Sequence, residues 1–355
     1  MKAIIYTKGE KMSKKYWNER EEDTIRKLNI VLDGLPDFVS RYTTYIADTT
    51  AALTRYNYAK DIEMFFDYVA KELGISISDI TTDTLSSLSV DFLSEYSNYM
   101  AANYRGNTIH KTSKVTRARR LSSLRSLYKY LYSTDQIPQN QMSKVRNPKI
   151  DEQEIIALTS DEATTLLNST MSTDLKSEQA KHYNELQQFR DYTILSVLVN
   201  TGIRVSELVG LDIKDIDTRN ASLRVIRKGH SEYSTLFYND DLANLLEDYI
   251  DYRTNILGVA EEDEDALFLS SRKKRIAVRS VQELVKKYTN RSGLLKHVTV
   301  HKLRSTYGTL LYKATGDIKL TADSMGHKSI ETTSRRYVNS GAEERRAAKD
   351  IININ

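Results

Sequence analysis

His301-Lys302-Leu303-Arg304-Ser305-Thr306-Tyr307, followed by Met325-Gly326-His327 and then by Arg336-Tyr337, is the stretch on which the reading of this chain turns. A His and an Arg three residues apart share one face of a helix. His327 follows Arg304 by 23 residues, and Tyr337 follows His327 by ten. Imidazoles and a guanidinium around one phenol make a site for an anion and a nucleophile. The anion that fits best is a phosphate of DNA.

Upstream of it, the run Tyr192–Val199 is strongly apolar and passes into Thr201-Gly202-Ile203-Arg204, which opens a helical segment, Val205 to Leu211. Leu223 to Ile226 and Ser234 to Tyr238 alternate as two strands. Arg227-Lys228-Gly229-His230-Ser231-Glu232 joins them, so a β-hairpin with a basic tip is expected in an otherwise helical region. Helices are expected at Asp241–Leu257 and Val278–Arg291, and from His301 onward.

These residues compose a phosphoryl-transfer site. If Tyr337 attacks a phosphodiester, charge spreads over the non-bridging oxygens, and two fixed guanidiniums, Arg204 and Arg304, suit the task of clamping them. The 5′-hydroxyl leaving group needs a proton, which Lys228 at the hairpin tip is placed to give. His301 and His327 can bond the phosphate or shuttle the phenol's proton. No metal and no cofactor is required. Each residue also has a plainer reading: a packing tyrosine, Arg204 pairing with Glu207 one turn on, an ordinary Lys-Gly turn. The conjunction carries the argument.

The N-terminal half is helical by pattern. Phe38, Tyr42, Tyr45 and Ile46 recur at helical spacing, as do Tyr58, Ile62, Phe65, Phe66 and Val69, and Gly74 is placed to end that second helix. A short helical turn is expected from Thr81, a long helix from Val90 to Tyr104, and a fourth from Ser113 to Tyr132. The fourth carries Lys114, Arg117, Arg119, Arg120 and Arg125 with no acid interleaved, which suits a phosphate backbone as well as a solvated face.

The 355 residues carry a net charge of only +4, so basicity is local: Lys111–Lys129 and Arg272–Arg291 are basic, and Glu261–Asp265 is acidic. Three prolines and 13 glycines favour helices over a turn-rich β chain. The absence of cysteine excludes disulfides, thiolate metal sites and a cysteine nucleophile. No apolar run approaches ~18 residues, and Ala3–Tyr6 is too short for a signal peptide. A cytoplasmic protein is expected, nucleoid-associated when bound to DNA, with Met12 a second candidate start.

At these motifs the sequence resembles the tyrosine recombinase family, the phage integrase and Xer-type enzymes. Thr201–Leu208 looks like the family's first-arginine motif, Arg227-Lys228-Gly229 its hairpin-lysine motif, His301–Arg304 its His-x-x-Arg box and Met325-Gly326-His327 its Leu-Gly-His box. Tyr337 falls where the nucleophile belongs. Residues 36–134, including Arg120–Tyr128, are similar to the helical core-binding, SAM-like domain. Ser305 stands where many members have a second His, and the spacing of ten before Tyr337 is one longer than usual in the family. The resemblance implies Arg204 and Arg304 as phosphate clamps and Lys228 as general acid. It also implies His301 and His327 as phosphate and proton partners, and Glu207 as an orienting support.

The fold then expected is mainly α with a small β-hairpin or sheet in the catalytic domain, in a two-domain C-shaped DNA clamp. Its parts would be a charged tail (1–35), the DNA-binding domain (36–134), a linker (135–156), the catalytic domain (157–340) and a tail (341–355). That last tail reads either as a segment exchanged between protomers or as a free end. The expected activity is site-specific recombination through a 3′-phosphotyrosyl intermediate and a Holliday junction, integrating, excising or resolving DNA. The alternatives are a non-catalytic DNA-binding clamp and a type IB-like topoisomerase. Expected partners are a double-stranded DNA site, three further copies in a tetramer on DNA (a monomer or dimer when free) and an accessory DNA-bending protein, with no membrane.

Overall fold

A computed structural model describes residues 14–105, 108–150, 156–171, 178–227, 233–257, 263, 265–326 and 330–337. Residues 14, 102–105, 108–110, 178–186, 256–257, 332 and 335–337 are described by their backbone alone. The chain divides into two units, Lys14–Gln153 and, from Glu154 onward, a second.

In the first unit α1 (Lys14–Leu32), α2 (Asp37–Tyr45), α3 (Ala52–Leu73), α4 (Thr82–Ser87), α5 (Val90–Ala101) and α6 (Lys114–Ser133) surround one core. Phe65, Phe66 and Ile62 of α3, Tyr96 of α5 and Leu121, Leu124, Leu127 and Tyr128 of α6 are fully buried. Each such side chain contributes roughly 1.5–3 kcal/mol of transfer free energy. Gly74 ends α3 at φ 67°, and Thr81 caps α4 in a reciprocal pair with Thr84.

Three expectations are corrected here. The opening segment is not wholly a tail: α1 packs on α3, and Leu28 and Val31 enter the core together with Leu35. Only the C-terminal third of α1 carries that apolar face, so the whole segment reads as charged. The helix from Val90 stops at Ala101, after which β1 (Ala102–Arg105) pairs antiparallel with β2 (Thr108–Lys111). The segment 135–156 is no free linker at its start, because Ile137, Met142 and Val145 are buried in the first unit's core.

The second unit is built around α8 (Glu178–Thr201), whose Ile194, Leu195, Val197 and Leu198 are all buried. A helix apolar on every side must be central. Against it pack α7 (Ser160–Asn168), α10 (Asp240–Tyr252) and α12 (Val300–Thr315). The remaining elements are α9 (Val205–Val209), α11 (Val278–Arg291), α13 (Ile318–Met325), α14 (Ile330–Tyr337) and a three-stranded antiparallel sheet. Its strands β3 (Ile216–Asp217), β4 (Ser222–Ile226) and β5 (Tyr233–Phe237) exceed the expected hairpin by one. Leu158 N–H donates to the Thr306 hydroxyl at 2.9 Å, tying the unit's entry to α12. No described helix is long and apolar enough to cross a membrane.

Candidate active site

The site is assembled at the carbonyl end of α13. A helix leaves its last carbonyls without intrahelical partners and with partial negative charge. Gly326, at φ 59°, caps α13 in the left-handed conformation, sending its own N–H back to the Ala322 and Asp323 carbonyls. The Ser324, Met325 and Gly326 carbonyls then accept from three guanidiniums. Arg227 donates Nη1 to Met325 at 2.6 Å and Nη2 to Ser324 at 3.1 Å. Arg304, almost wholly buried, donates Nη2 to the same Met325 carbonyl and Nη1 to Gly202. Arg204 reaches Gly326 with Nη2 at 3.3 Å.

Arg204 stands at the N-cap of α9, the turn after α8, and Glu207 completes that cap. The buried Glu207 carboxylate accepts Arg204 Nη1 at 2.7 Å and Arg204 N–H at 3.0 Å, so one side chain orients both the backbone and the guanidinium. The pairing given as the plainer reading of Arg204 is therefore present, and it leaves the side chain 32% exposed. Arg304 comes from α12, and His301 lies one turn earlier on the same helix, exposed.

Two glycines let these groups approach. A Cβ on Gly326 would lie 1.8 Å from Arg227 Nη1, and one on Gly202 would lie 2.4 Å from the Tyr307 ring. Burial pulls Arg227's proton affinity down; Glu207 opposes that and Arg204 reinforces it. Guanidinium nonetheless stays charged in proteins. Burial likewise raises Tyr307, while its bond with Ser324 and the charges of Arg227 and Arg304 pull the other way. Three guanidiniums and the Glu207 carboxylate thus converge on the α13 terminus, an arrangement suited to an anion.

The structure thus brings Arg204, Glu207 and Arg304 together. Lys228 and His327 lie outside the described residues. Tyr337 is the last residue of α14, which packs on α12 and α13, and only its backbone is described. In the sequence Arg227 stands out only as the residue before Lys228. Its use here depends on contacts across about a hundred positions, which no local signal announces.

On the first unit, the basic stripe of α6 is partly engaged from within. Arg119 forms a two-pronged pair with the buried Asp61 of α3, both bonds 2.7 Å, and Arg120 Nε lies 3.9 Å from the same carboxylate. Arg117 donates to the Ser97 carbonyl at 3.4 Å, and Arg125 to Asn147 and to the Val145 carbonyl. Lys114 is exposed. The counter-charge missing from α6 itself is supplied by α3.

The profile of the phage integrase family matches residues 157–344, and that of the phage integrase N-terminal SAM-like domain matches residues 39–135. A tyrosine recombinase XerC of Caldanaerobacter subterraneus subsp. tengcongensis is 34% identical over 312 residues, 84% of this chain and 81% of that one. Another, from Pelobacter propionicus, is 31% identical over 78% of this chain and 82% of its own. Among solved structures, the Tn1549 transposon integrase in complex with circular intermediate DNA superposes with a TM-score of 0.63 at 19% identity, over 88% of this chain and 98% of that one. The XerH recombinase in its post-cleavage complex with palindromic difH gives 0.62 at 19% identity, over 84% and 79%. Those structures share the fold. With both of its domain profiles matched and relatives above 30% identity across most of its length, this chain belongs to the phage integrase family of tyrosine recombinases.

Proposed function

We propose that this site-specific DNA recombinase cleaves its target with Tyr337. The phenol attacks the scissile phosphorus, a 3′-phosphotyrosyl bond forms, and the 5′-oxygen leaves with a proton from Lys228. Arg204 and Arg304 hold the non-bridging oxygens, and His301 and His327 bond the phosphate or carry the phenol's proton. The covalent bond conserves the phosphodiester energy, so a 5′-hydroxyl from a second strand rejoins the DNA without ATP. The observation that carries this reading is the pair of fixed guanidiniums, Arg204 and Arg304, on the α13 carbonyls, next to the helix that ends in Tyr337.

The first unit holds the duplex through Lys114, Arg117, Arg119, Arg120 and Arg125. Four protomers exchange strands through a Holliday junction with help from a DNA-bending protein, in the cytoplasm on the nucleoid. The test is covalent capture: isolate the protein from cells under denaturing conditions, sequence the attached DNA, and run Tyr337→Phe in parallel. Adducts at one or two loci, absent from the variant, support the reading. Adducts of equal yield from Tyr337→Phe reject this nucleophile, and scattered loci favour a topoisomerase.

A further inference from the structure

Arg227 is an expensive residue for its place. It is 5% exposed, its guanidinium lies against Gly326 where no side chain fits, and its Nε finds no acceptor among the described residues. Burying a charge is unfavourable, here only partly offset by Glu207, and a donor left unsatisfied adds about 1–3 kcal/mol. A Met or Leu would fill the volume without either penalty. The neighbours make the cost greater, since Arg304 already brings a positive charge to the Met325 carbonyl and Arg204 another to the adjacent Gly326 carbonyl.

What Arg227 does at that cost is visible in its acceptors. It takes the Ser324 carbonyl and one side of the Met325 carbonyl, leaving Arg304 the other side of Met325. A carbonyl oxygen offers two lone pairs, so two guanidiniums can share it in defined directions. Without Arg227, Arg304 loses the neighbour that confines its Nη2 to one side of the Met325 carbonyl, and the end of α13 that also holds Arg204 loses two of its charge-assisted bonds.

We infer that Arg227 is a positioning residue for strand cleavage, aiming Arg304 at the scissile phosphate by sharing the Met325 carbonyl with it, and steadying the end of α13 whose Gly326 carbonyl holds Arg204. This rests on the reading of those two arginines as phosphate clamps. Arg227 touches neither DNA nor the reacting atoms in this role; it acts through the peptide groups of α13.

The experiment uses the full-length protein and a nicked suicide duplex carrying the site recovered by covalent capture. The scissile position is made either as the ordinary phosphodiester or as the methylphosphonate. A methylphosphonate is uncharged and places less demand on aimed cations, so a defect in aiming shrinks on it, whereas a defect in folding does not. Arg227→Gln is expected to slow cleavage of the diester about 10²-fold, of the order seen when one charge-stabilising donor is lost. Affinity for the intact duplex should stay within about threefold of wild type, and the methylphosphonate defect should fall below about tenfold. An equal defect on both substrates, or wild-type rates on the diester, overturns the inference. If Arg227→Gln does not fold, Arg227→Lys gives the same comparison. It keeps the charge, but one ammonium lacks the planar fork that spans two carbonyls, so the same substrate-dependent defect is expected. Wild type forming no Tyr337 adduct on either duplex removes the recombination-site reading and the inference with it. Wild-type adduct together with an indifferent Arg227→Gln removes the inference alone.

Discussion

Gly202→Ala tests how the site is packed. Gly202 sits at φ 59°, and an added Cβ would meet Tyr307 Cδ1 at 2.4 Å, Cγ at 2.9 Å and Cβ at 3.2 Å. The left-handed conformation disfavours alanine by about 1 kcal/mol. Ordinary contact begins near 3.4 Å, so the ring must retreat by about 1 Å. The hydroxyl of that half-buried ring is tied to Ser324 and feels the charges of Arg227 and Arg304, so its retreat is not free. Overpacking of this kind adds about 1–3 kcal/mol, giving a destabilisation of about 2–4 kcal/mol in the second unit. The assay is urea unfolding of the full chain. Trp17, the only tryptophan, lies in α1, so its fluorescence reports the first unit alone while far-UV circular dichroism follows both. The circular dichroism transition should move and the fluorescence transition should not. In the cycle with Tyr307→Ala, the paired substitutions should recover about 1–3 kcal/mol relative to their sum, whereas Tyr307→Phe, which keeps the ring, should recover none. Additivity within about 0.5 kcal/mol would refute the clash. Because the Gly202 carbonyl also accepts Arg304, Gly202→Ala should slow cleavage as well.

Asp215 is buried, its carboxyl raised to about 6 chiefly by desolvation and further by Asp212, against the bond from Asp212 N–H. A carboxyl raised on folding adds stability below its unfolded value, and that contribution is lost as pH climbs through the folded one. Asp215→Asn should therefore be more stable than wild type by about 2–3 kcal/mol at pH 7.5, with the gap closing below about pH 4, and a pH-independent gap in thermal melting would contradict this. Asp61→Asn removes the buried partner of Arg119 and Arg120 and should lower first-unit stability by about 1–3 kcal/mol, read as an earlier Trp17 transition in urea. An unmoved midpoint would mean that solvent replaces the pair without loss.

Much of the site was legible because each of its motifs is local. Arg204 and Glu207 share one helical turn, and Arg304 lies one turn after His301. The missing parts are long-range. Arg227 meets Met325 across 98 positions, and Asp61 meets Arg119 across 58. No window on α6 contains the acid that partners its stripe. The β1–β2 pair was hidden because Ala102–Tyr104 continues the composition of α5, and only pairing with residues 108–111 decides against helix. The end of the first unit's core was missed because a Pro- and Asn-containing stretch reads as loose, although three of its apolar side chains are drawn inside.

The acceptors at the end of α13 are peptide carbonyls, so the guanidinium network is blind to the side chains that follow one another there. At 325 any apolar residue that fills the pocket presents the same oxygen, and Met serves as well as Leu. At 324 the carbonyl is equally indifferent, and only the hydroxyl's bond to Tyr307 is lost on substitution. At 326 nothing but glycine leaves room for Arg227. Tolerance to mutation along this helix should therefore change abruptly between neighbouring positions, governed by backbone geometry rather than by distance from the reacting phosphate.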